Sequence, residues 1–174
     1  MKRLRLSIVL AIPLLVLVSG TGLAAVQAPH LRIKLTNFEQ SKDSHSETRA
    51  IEVKGNKVTV SGPDRSTCVR GRCSHKTWTF TLTPEQEKKL WNAVRTQGLM
   101  RDFKEENPTT GVGSFVDLTV KIHYGKRQYS GLVTGRKNTL GTDTGMISAA
   151  AYRYMSGATS MAFFIERLIP PKAQ

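Results

Sequence analysis

Apolar and polar residues alternate along several segments of the chain, which is the pattern expected of strands that bury one face. The alternation is strict over residues 31–36 and 77–82, and it is clear over residues 115–124. Gly55-Asn56 and Gly125-Lys126 are two-residue turn signals between alternating segments, and they predict β-hairpins. The pattern therefore predicts an antiparallel sheet of about five to six strands.

Helical patterns appear twice. Thr83 is a predicted N-cap, Pro84 suits the first helical position, and Gln86 can close a capping box. The second helical pattern spans residues 147–168, and Arg153 would lie inside it. Because a charged residue inside a membrane span is costly, packing of this helix on the sheet is favoured over a membrane span. The whole order predicts an α+β fold, with two helices packed on one face of the sheet. The second helix is predicted by apolar residues at alternating spacings of four and three: Ile147, Ala151, Tyr154, Ala158, Met161, Ile165 and Leu168.

Three polar segments are predicted to lie outside the strands. Gln40–Thr48 contains no apolar residue, and Ser61–Ser74 is rich in glycine and arginine. Lys104–Gly113 follows the first helix and a turn. These segments are interpreted as connections between the predicted elements.

The first residues have the layout of an export signal. Three basic residues precede the apolar run Leu6–Val18, and small residues at 24–28 offer cleavage positions. The run is shorter than the roughly 20 residues of a membrane-spanning helix, and Pro13 lies inside it. We therefore expect residues 1–28 to be a cleaved signal peptide and residues 29–174 to form one small basic domain, periplasmic or secreted.

The chain is strongly basic. Its formal net charge is +13, and loss of the signal leaves +10, because the three basic residues of that segment have no acidic counterpart. Such a surface favours polyanions, and those outside a bacterial cytoplasm include lipopolysaccharide, phospholipid headgroups, teichoic-type polymers and acidic proteins. Nucleic acid is disfavoured, because export separates the protein from it and the strands show no row of exposed aromatic residues. The simpler alternative is that the charge keeps a small domain soluble.

Cys68 and Cys73 are the two cysteines of the chain. In an oxidising compartment they predict a disulfide that closes a short loop at Gly71. The alternative is a zinc site that recruits His75, but a closed site needs a fourth ligand that the spacing does not supply. We expect no metal and no cofactor.

Catalytic motifs are missing from the sequence. Phosphate-binding loops, dinucleotide fingerprints, zinc-protease motifs and nucleophile elbows do not occur after the signal. Ser114, Asp117 and His123 could form a triad on paper, but six residues along a strand separate the last two by about 20 Å. An enzyme whose site assembles only in three dimensions stays an open alternative.

Two basic groups are candidates for binding anions. The first surrounds the predicted disulfide, which would restrict its motion. The second precedes the long helix, whose N-terminal amides could hold a phosphate or carboxylate; the alternative there is an ordinary N-cap at Thr142 or Asp143. The candidate residues are Arg65, Arg70, Arg72 and Lys76 in the first group, and Arg136 and Lys137 in the second.

The sequence favours an exported, non-enzymatic binding module. Its partner would be a protein or an anionic envelope polymer, and inhibition of an exported enzyme is one version of this hypothesis. A secreted small hydrolase is the first alternative. An extracellular nucleic-acid or polyanion binder is the second, supported by charge alone.

Overall fold

The structure is a computed structural model of the chain. It has an α+β fold with two helices and a largely antiparallel sheet. The predicted signal peptide lies outside the described residues, except for residue 28. The described ranges are 28–40, 45–69, 72–108, 113–137 and 146–170.

Seven strands form one sheet in the described part of the chain, in the order β4-β3-β2-β1-β6-β7-β5. The prediction of five to six strands was therefore too low. All neighbouring strands are antiparallel except β5 and β7, which are parallel. The elements are β1 (His30–Gln40), β2 (His45–Lys54), β3 (Lys57–Val69), β4 (Arg72–Thr81), α1 (Pro84–Thr96), β5 (Phe103–Glu106), β6 (Gly113–Tyr124), β7 (Arg127–Arg136) and α2 (Ala149–Glu166).

Parts of the three polar segments belong to the sheet. Strand β5 was missed because it has four residues and pairs in parallel with the edge of β7, so it has no hairpin signal. Strands β2, β3 and β4 continue into the segments Gln40–Thr48 and Ser61–Ser74, where the predictions placed connections. Backbone hydrogen bonds extend these hairpins, and threonine and serine tolerate the extended conformation without an apolar face.

The core lies against one face of the sheet. The strand residues that enter it are the alternate ones of each strand, as the sequence predicted for 31–36 and 115–124. Both helices contribute their apolar stripes to the same cluster. Its fully buried members include Leu31, Ile33, Val53, Val58, Leu90, Val94, Leu118, Val120, Ala158 and Ile165.

Local signals set the ends of α1. The Thr83 hydroxyl accepts a hydrogen bond from the Gln86 backbone, and the Gln86 side chain accepts one from the Thr83 backbone, which confirms the capping box. At the other end Gly98 has a φ of +68°, and the amides of Gly98 and Leu99 donate to the carbonyls of Arg95 and Val94. This is a Schellman ending, and it turns Leu99 into the core.

Helix α2 packs closely on the sheet at Gly131 of β7. A Cβ atom at Gly131 would overlap the Tyr154 hydroxyl and lie 2.5 Å from two ring carbons. On its other side the Tyr154 ring stacks on Phe103 of β5, with ring centroids 4.9 Å apart. Burial raises the pKa of Tyr154 to about 12, and its hydroxyl finds no hydrogen-bond partner among the described residues.

A charged network joins the end of α2 to the middle of β2. Arg49 is buried, and its guanidinium donates to the carboxylates of Glu47 and Glu166 at 2.9–3.2 Å. It also lies over the Phe163 ring, 5.4 Å from the centroid. Because both carboxylates bind one cation, the network fixes the end of α2 without leaving the buried charge unpaired.

The described part of the chain contains no helix that is long and apolar enough to cross a membrane.

Candidate functional site

The sheet face opposite the core is open and polar. Its side chains come from the strand positions that alternate with the core positions, and those on the central strands are exposed or half-buried, except Phe115 at the start of β6, which is buried. No helix of the described part covers it, since both α1 and α2 pack into the core cluster on the other side. We call this surface the open face. Its charged residues and histidines on β1, β2, β3 and β6 are His30, Arg32, Lys34, Glu52, Lys54, Lys57, Asp117, Lys121 and His123.

Residues of the same type face each other across the two central strands. Arg32 on β1 lies directly opposite Lys121 on β6, and His30 lies directly opposite His123. We call these four residues the basic seam. Arg32 and Lys121 are both exposed, and neither forms an ion pair with any other described residue. Like charges in this position are destabilising by roughly 0.2–1 kcal/mol, so fold stability does not account for the pair.

One carboxylate, Glu52, lies beside the seam. Its side chain is 3.2 Å from the Lys54 ammonium and 3.1 Å from Nε2 of His30, and Arg32 is its cross-strand neighbour. The hydrogen bond from Lys54 holds the pKa of Glu52 below its usual value, with smaller contributions from His30 and Arg32, while partial burial acts in the opposite direction. Glu52 binds Lys54 and His30 directly and its charge also attracts Arg32 across the strand pair, whereas Lys121 has no carboxylate opposite it.

A pocket of about 520 Å³ opens at one end of the seam, where β1, β6 and β7 meet the turn before β5. All four seam residues line it, together with Ser130 of β7 and Asp102. The Asp102 carboxylate accepts a hydrogen bond of 2.8 Å from the Ser130 backbone amide. This bond satisfies the Ser130 amide just before the point where β5 begins to pair with β7, and it holds one carboxylate in the pocket that Arg32 and Lys121 line.

The pocket residues are not connected as a catalytic triad. Asp102 binds the Ser130 amide rather than an imidazole, and Nδ1 of His123 is buried without a hydrogen-bond partner in the described ranges. No hydrogen bond between the Ser130 hydroxyl and His123 is formed among those residues. Nucleophilic catalysis needs a nucleophile bonded to its base and a base held by a third group. No group of three or more histidine, cysteine or acidic residues suited to a metal occurs in the described part either.

The two cysteines are paired. Cys68 on β3 and Cys73 on β4 form a disulfide, with Cα atoms 4.0 Å apart. The predicted cysteine pairing is thereby confirmed. The link closes the end of the β3–β4 hairpin, where the register shifts between Asp64 and Val69.

The basic residues around the disulfide lie on the sheet's outermost hairpin. Lys76 is half-buried on the core side of β4, with Nζ 5.4 Å from the centroid of the Trp78 ring. Arg65 belongs to β3 and Arg72 to β4, and their side chains are outside the described part. Arg70 lies outside the described residues altogether. The anion-binding role of this group stays a prediction.

The other two candidates, Arg136 and Lys137, lie at the end of β7. Arg136 is buried, and its guanidinium lies over the Phe115 ring at 5.5 Å. Lys137 donates a hydrogen bond to the side-chain carbonyl of Asn37. Burial lowers the pKa of Lys137, while the charge of Glu47 acts in the opposite direction. The structure thus places these cations against β6 and β1, and any anion there would have to displace existing contacts.

A carboxylate of the chain occupies the N-terminus of α2. Ser148 is the N-cap, and its hydroxyl accepts a hydrogen bond from the Ala151 amide. The Glu105 carboxylate in turn accepts hydrogen bonds from the backbone amide and the hydroxyl of Ser148. A helix N-terminus attracts an anion, and here β5 supplies it. Thr142 and Asp143, predicted as alternative caps, lie outside the described residues.

The sequence itself carries a signal for the basic seam. The polar faces of two predicted strands carry Arg32 and Lys34 in one case and Lys121 and His123 in the other. Only the pairing of β1 with β6 shows that these faces adjoin.

No protein-family model matches the chain, and no curated protein matches it.

Proposed function

We propose that this protein is an exported, non-enzymatic binding module that holds an anionic envelope polymer on the open face of its sheet. The observation that carries the proposal is the direct opposition of Arg32 and Lys121, two exposed cations without an ion-pair partner among the described residues. Such a pair costs stability in the free protein. An anion placed between the two side chains removes the repulsion and forms charge-assisted hydrogen bonds with both.

The surroundings of the pair support an extended ligand. Lys34 continues the positive surface along β1, and Lys54 and Lys57 continue it across the β2–β3 hairpin. Because these side chains stand on paired strands, the sheet sets the spacing of their Cα atoms. Little backbone conformational freedom is therefore lost when a ligand binds. A repeating anionic polymer fits such a surface better than a single small ion does.

Export is part of the proposal. A disulfide and the absence of a membrane-spanning helix in the described part are compatible with it, and the predicted signal segment adds to the case. Arg65, Arg70 and Arg72 beside the disulfide would then extend the polymer-binding surface, whereas Lys76 lies on the core side of β4.

The test compares two variants of equal charge. Arg32→Gln with Lys121→Gln removes the central pair, whereas Lys88→Gln with Lys89→Gln removes two exposed cations from α1 on the other layer. Binding of lipopolysaccharide to the disulfide-intact protein is measured at two salt concentrations. The first variant is expected to bind about tenfold more weakly, equivalent to ~1.4 kcal/mol, and the second is expected to change less than twofold.

Stability gives an independent readout from the same variants. Because the like-charge repulsion is removed and only a small attraction between Arg32 and Glu52 is lost, Arg32→Gln with Lys121→Gln should be up to about 1 kcal/mol more stable than the wild type. Weaker binding in a more stable protein is the signature of residues kept for a ligand. Equal losses of binding in both variants would show that the charge acts diffusely, and salt-resistant capture of one stoichiometric protein would favour a protein partner instead.

A further inference from the structure

The pocket at the end of the seam contains a group that a general polyanion site does not need. Asp102 lines the pocket beside Arg32, Lys121 and the two histidines. It forms no ion pair with any of them or with another residue of the described ranges. A carboxylate in this position repels anions, so its presence restricts which anions the pocket accepts.

The position of Asp102 is fixed by the sheet. Arg32, Lys121 and Ser130 form one cross-strand row through β1, β6 and β7, and Asp102 continues that row through its bond to the Ser130 amide. Adjacent strands are about 4.8 Å apart, so one tetrahedral anion near Lys121 is within reach of the cations and of the carboxylate. Oδ1 accepts the amide, and Oδ2 accepts no hydrogen bond from the described residues.

A carboxylate oxygen can only accept hydrogen bonds. An anion that keeps a proton can donate to it, whereas a fully ionised anion meets only repulsion. A phosphate monoester has a second pKa near 6 and carries a P–OH group in its monoanion; sulfate and sulfate esters have no proton to donate at this pH. The cations attract both classes, so Asp102 is the group that separates them.

We infer that the pocket formed by the basic seam, Ser130 and Asp102 binds a phosphate monoester group, and that Asp102 selects phosphate over sulfate by accepting the P–OH hydrogen. Arg32 and Lys121 bind the ionised oxygens, and His30 and His123 line the pocket next to them. The inference rests on the proposed function and specifies it: the polymer would be recognised through its phosphorylated ends or branches.

The experiment measures binding of small anions to the full mature protein at pH 6. Inorganic phosphate, glycerol phosphate, sulfate and dimethyl phosphate are titrated, and amide chemical shifts report where each binds. The expected result is that both proton-carrying phosphates shift the amides around Ser130 and His123 and bind at least tenfold more tightly than sulfate. Dimethyl phosphate, which has no proton, should resemble sulfate.

Asp102→Asn is the decisive variant, because its carbonyl can still accept the Ser130 amide and keep β7 capped. It should reduce the preference for phosphate over sulfate to less than twofold. Asp117→Asn is the matched control: Asp117 is exposed on the same face and does not line the pocket. It should leave the preference unchanged. Thermal unfolding of both variants verifies that they are folded.

The outcomes separate this inference from the proposed function. If phosphate and sulfate bind equally and Asp102→Asn changes nothing, the phosphate selection is wrong even where lipopolysaccharide still binds the open face. If phosphate is selected but lipopolysaccharide is not held, the pocket stands and the polymer proposal fails. Phosphatase treatment of the polymer distinguishes sources: loss of binding identifies polymer-linked monoesters, and unchanged binding with competition by inorganic phosphate identifies the free ion as ligand.

Discussion

Replacing Gly131 by alanine tests how tightly α2 packs on β7. The new Cβ would overlap the Tyr154 hydroxyl and approach two ring carbons to 2.5 Å. The ring cannot move away, because it is 1% exposed and stacks on Phe103 behind it. Overpacking a core costs about 1–3 kcal/mol and occasionally more, so we expect Gly131→Ala to lower the free energy of unfolding by about 3 kcal/mol.

Removing the Tyr154 hydroxyl should have the opposite effect. A buried hydroxyl without a partner costs about 1–3 kcal/mol, so Tyr154→Phe is expected to raise stability by about 1 kcal/mol. In the phenylalanine background the shortest overlap with position 131 disappears, but the ring carbons remain. Gly131→Ala should then cost about 2 kcal/mol, a coupling of about 1 kcal/mol between the two sites.

Denaturation by urea, followed by tryptophan fluorescence, measures all four proteins of this cycle, provided that the slope of the transition stays constant. Gly62→Ala is the control: it adds a Cβ to another strand glycine, where the nearest atom, Cγ of Arg49, is at the van der Waals distance of 3.4 Å, and it should change stability by less than about 1 kcal/mol. A loss of stability in Tyr154→Phe would refute the reasoning, since it would show that the hydroxyl is hydrogen-bonded. Additive effects would refute the predicted overlap.

Three further results are expected. Replacing both Cys68 and Cys73 by serine should lower stability by about 2 kcal/mol, from the loop-entropy cost of a short loop, and hydrogen exchange should show faster opening at the hairpin end without loss of core protection. Glu166→Gln should lower stability by about 1–2 kcal/mol, because it weakens a charged hydrogen bond to buried Arg49; a melting temperature equal to the wild type would contradict this. Above pH 10 the unfolded chain releases the Tyr154 proton before the folded protein does, since the folded pKa is about 12, so stability should fall between pH 10 and 12. Tyr154→Phe should lose less over that range, and equal losses in a denaturation series would show that Tyr154 is not responsible.

Local features of this fold were readable from the sequence. The capping box of α1 and both two-residue turns depend on neighbouring residues, and the structure has each where the pattern predicted it. Alternation also identified the core positions of β1 and β6, because burial on one face imposes a period of two. These predictions needed no knowledge of which strands pair.

The remaining features depend on pairing between distant segments. Strand β5 has no periodic signal of its own and exists because the edge of β7 offers hydrogen bonds. The basic seam likewise arises from the register that sets Arg32 against Lys121, which no local pattern encodes. Asp102 reads as a loop residue until the structure shows its bond to Ser130. The candidate site was therefore visible as separate residues and not as a site.

The central place of β1 has a consequence for how the protein forms. This strand comes first among the described elements, yet it needs β6, from the later part of the chain, on one of its two sides. Hairpin β1–β2 can form early in folding, whereas the backbone amides and carbonyls on the other edge of β1 stay unpaired until β6 pairs with them. Contacts of such long sequence separation slow folding, and an open edge invites association. The chain should therefore be most prone to aggregate before β6 has paired with β1, and the positive charges of Arg32 and Lys34 on β1 would oppose edge-to-edge association during that interval.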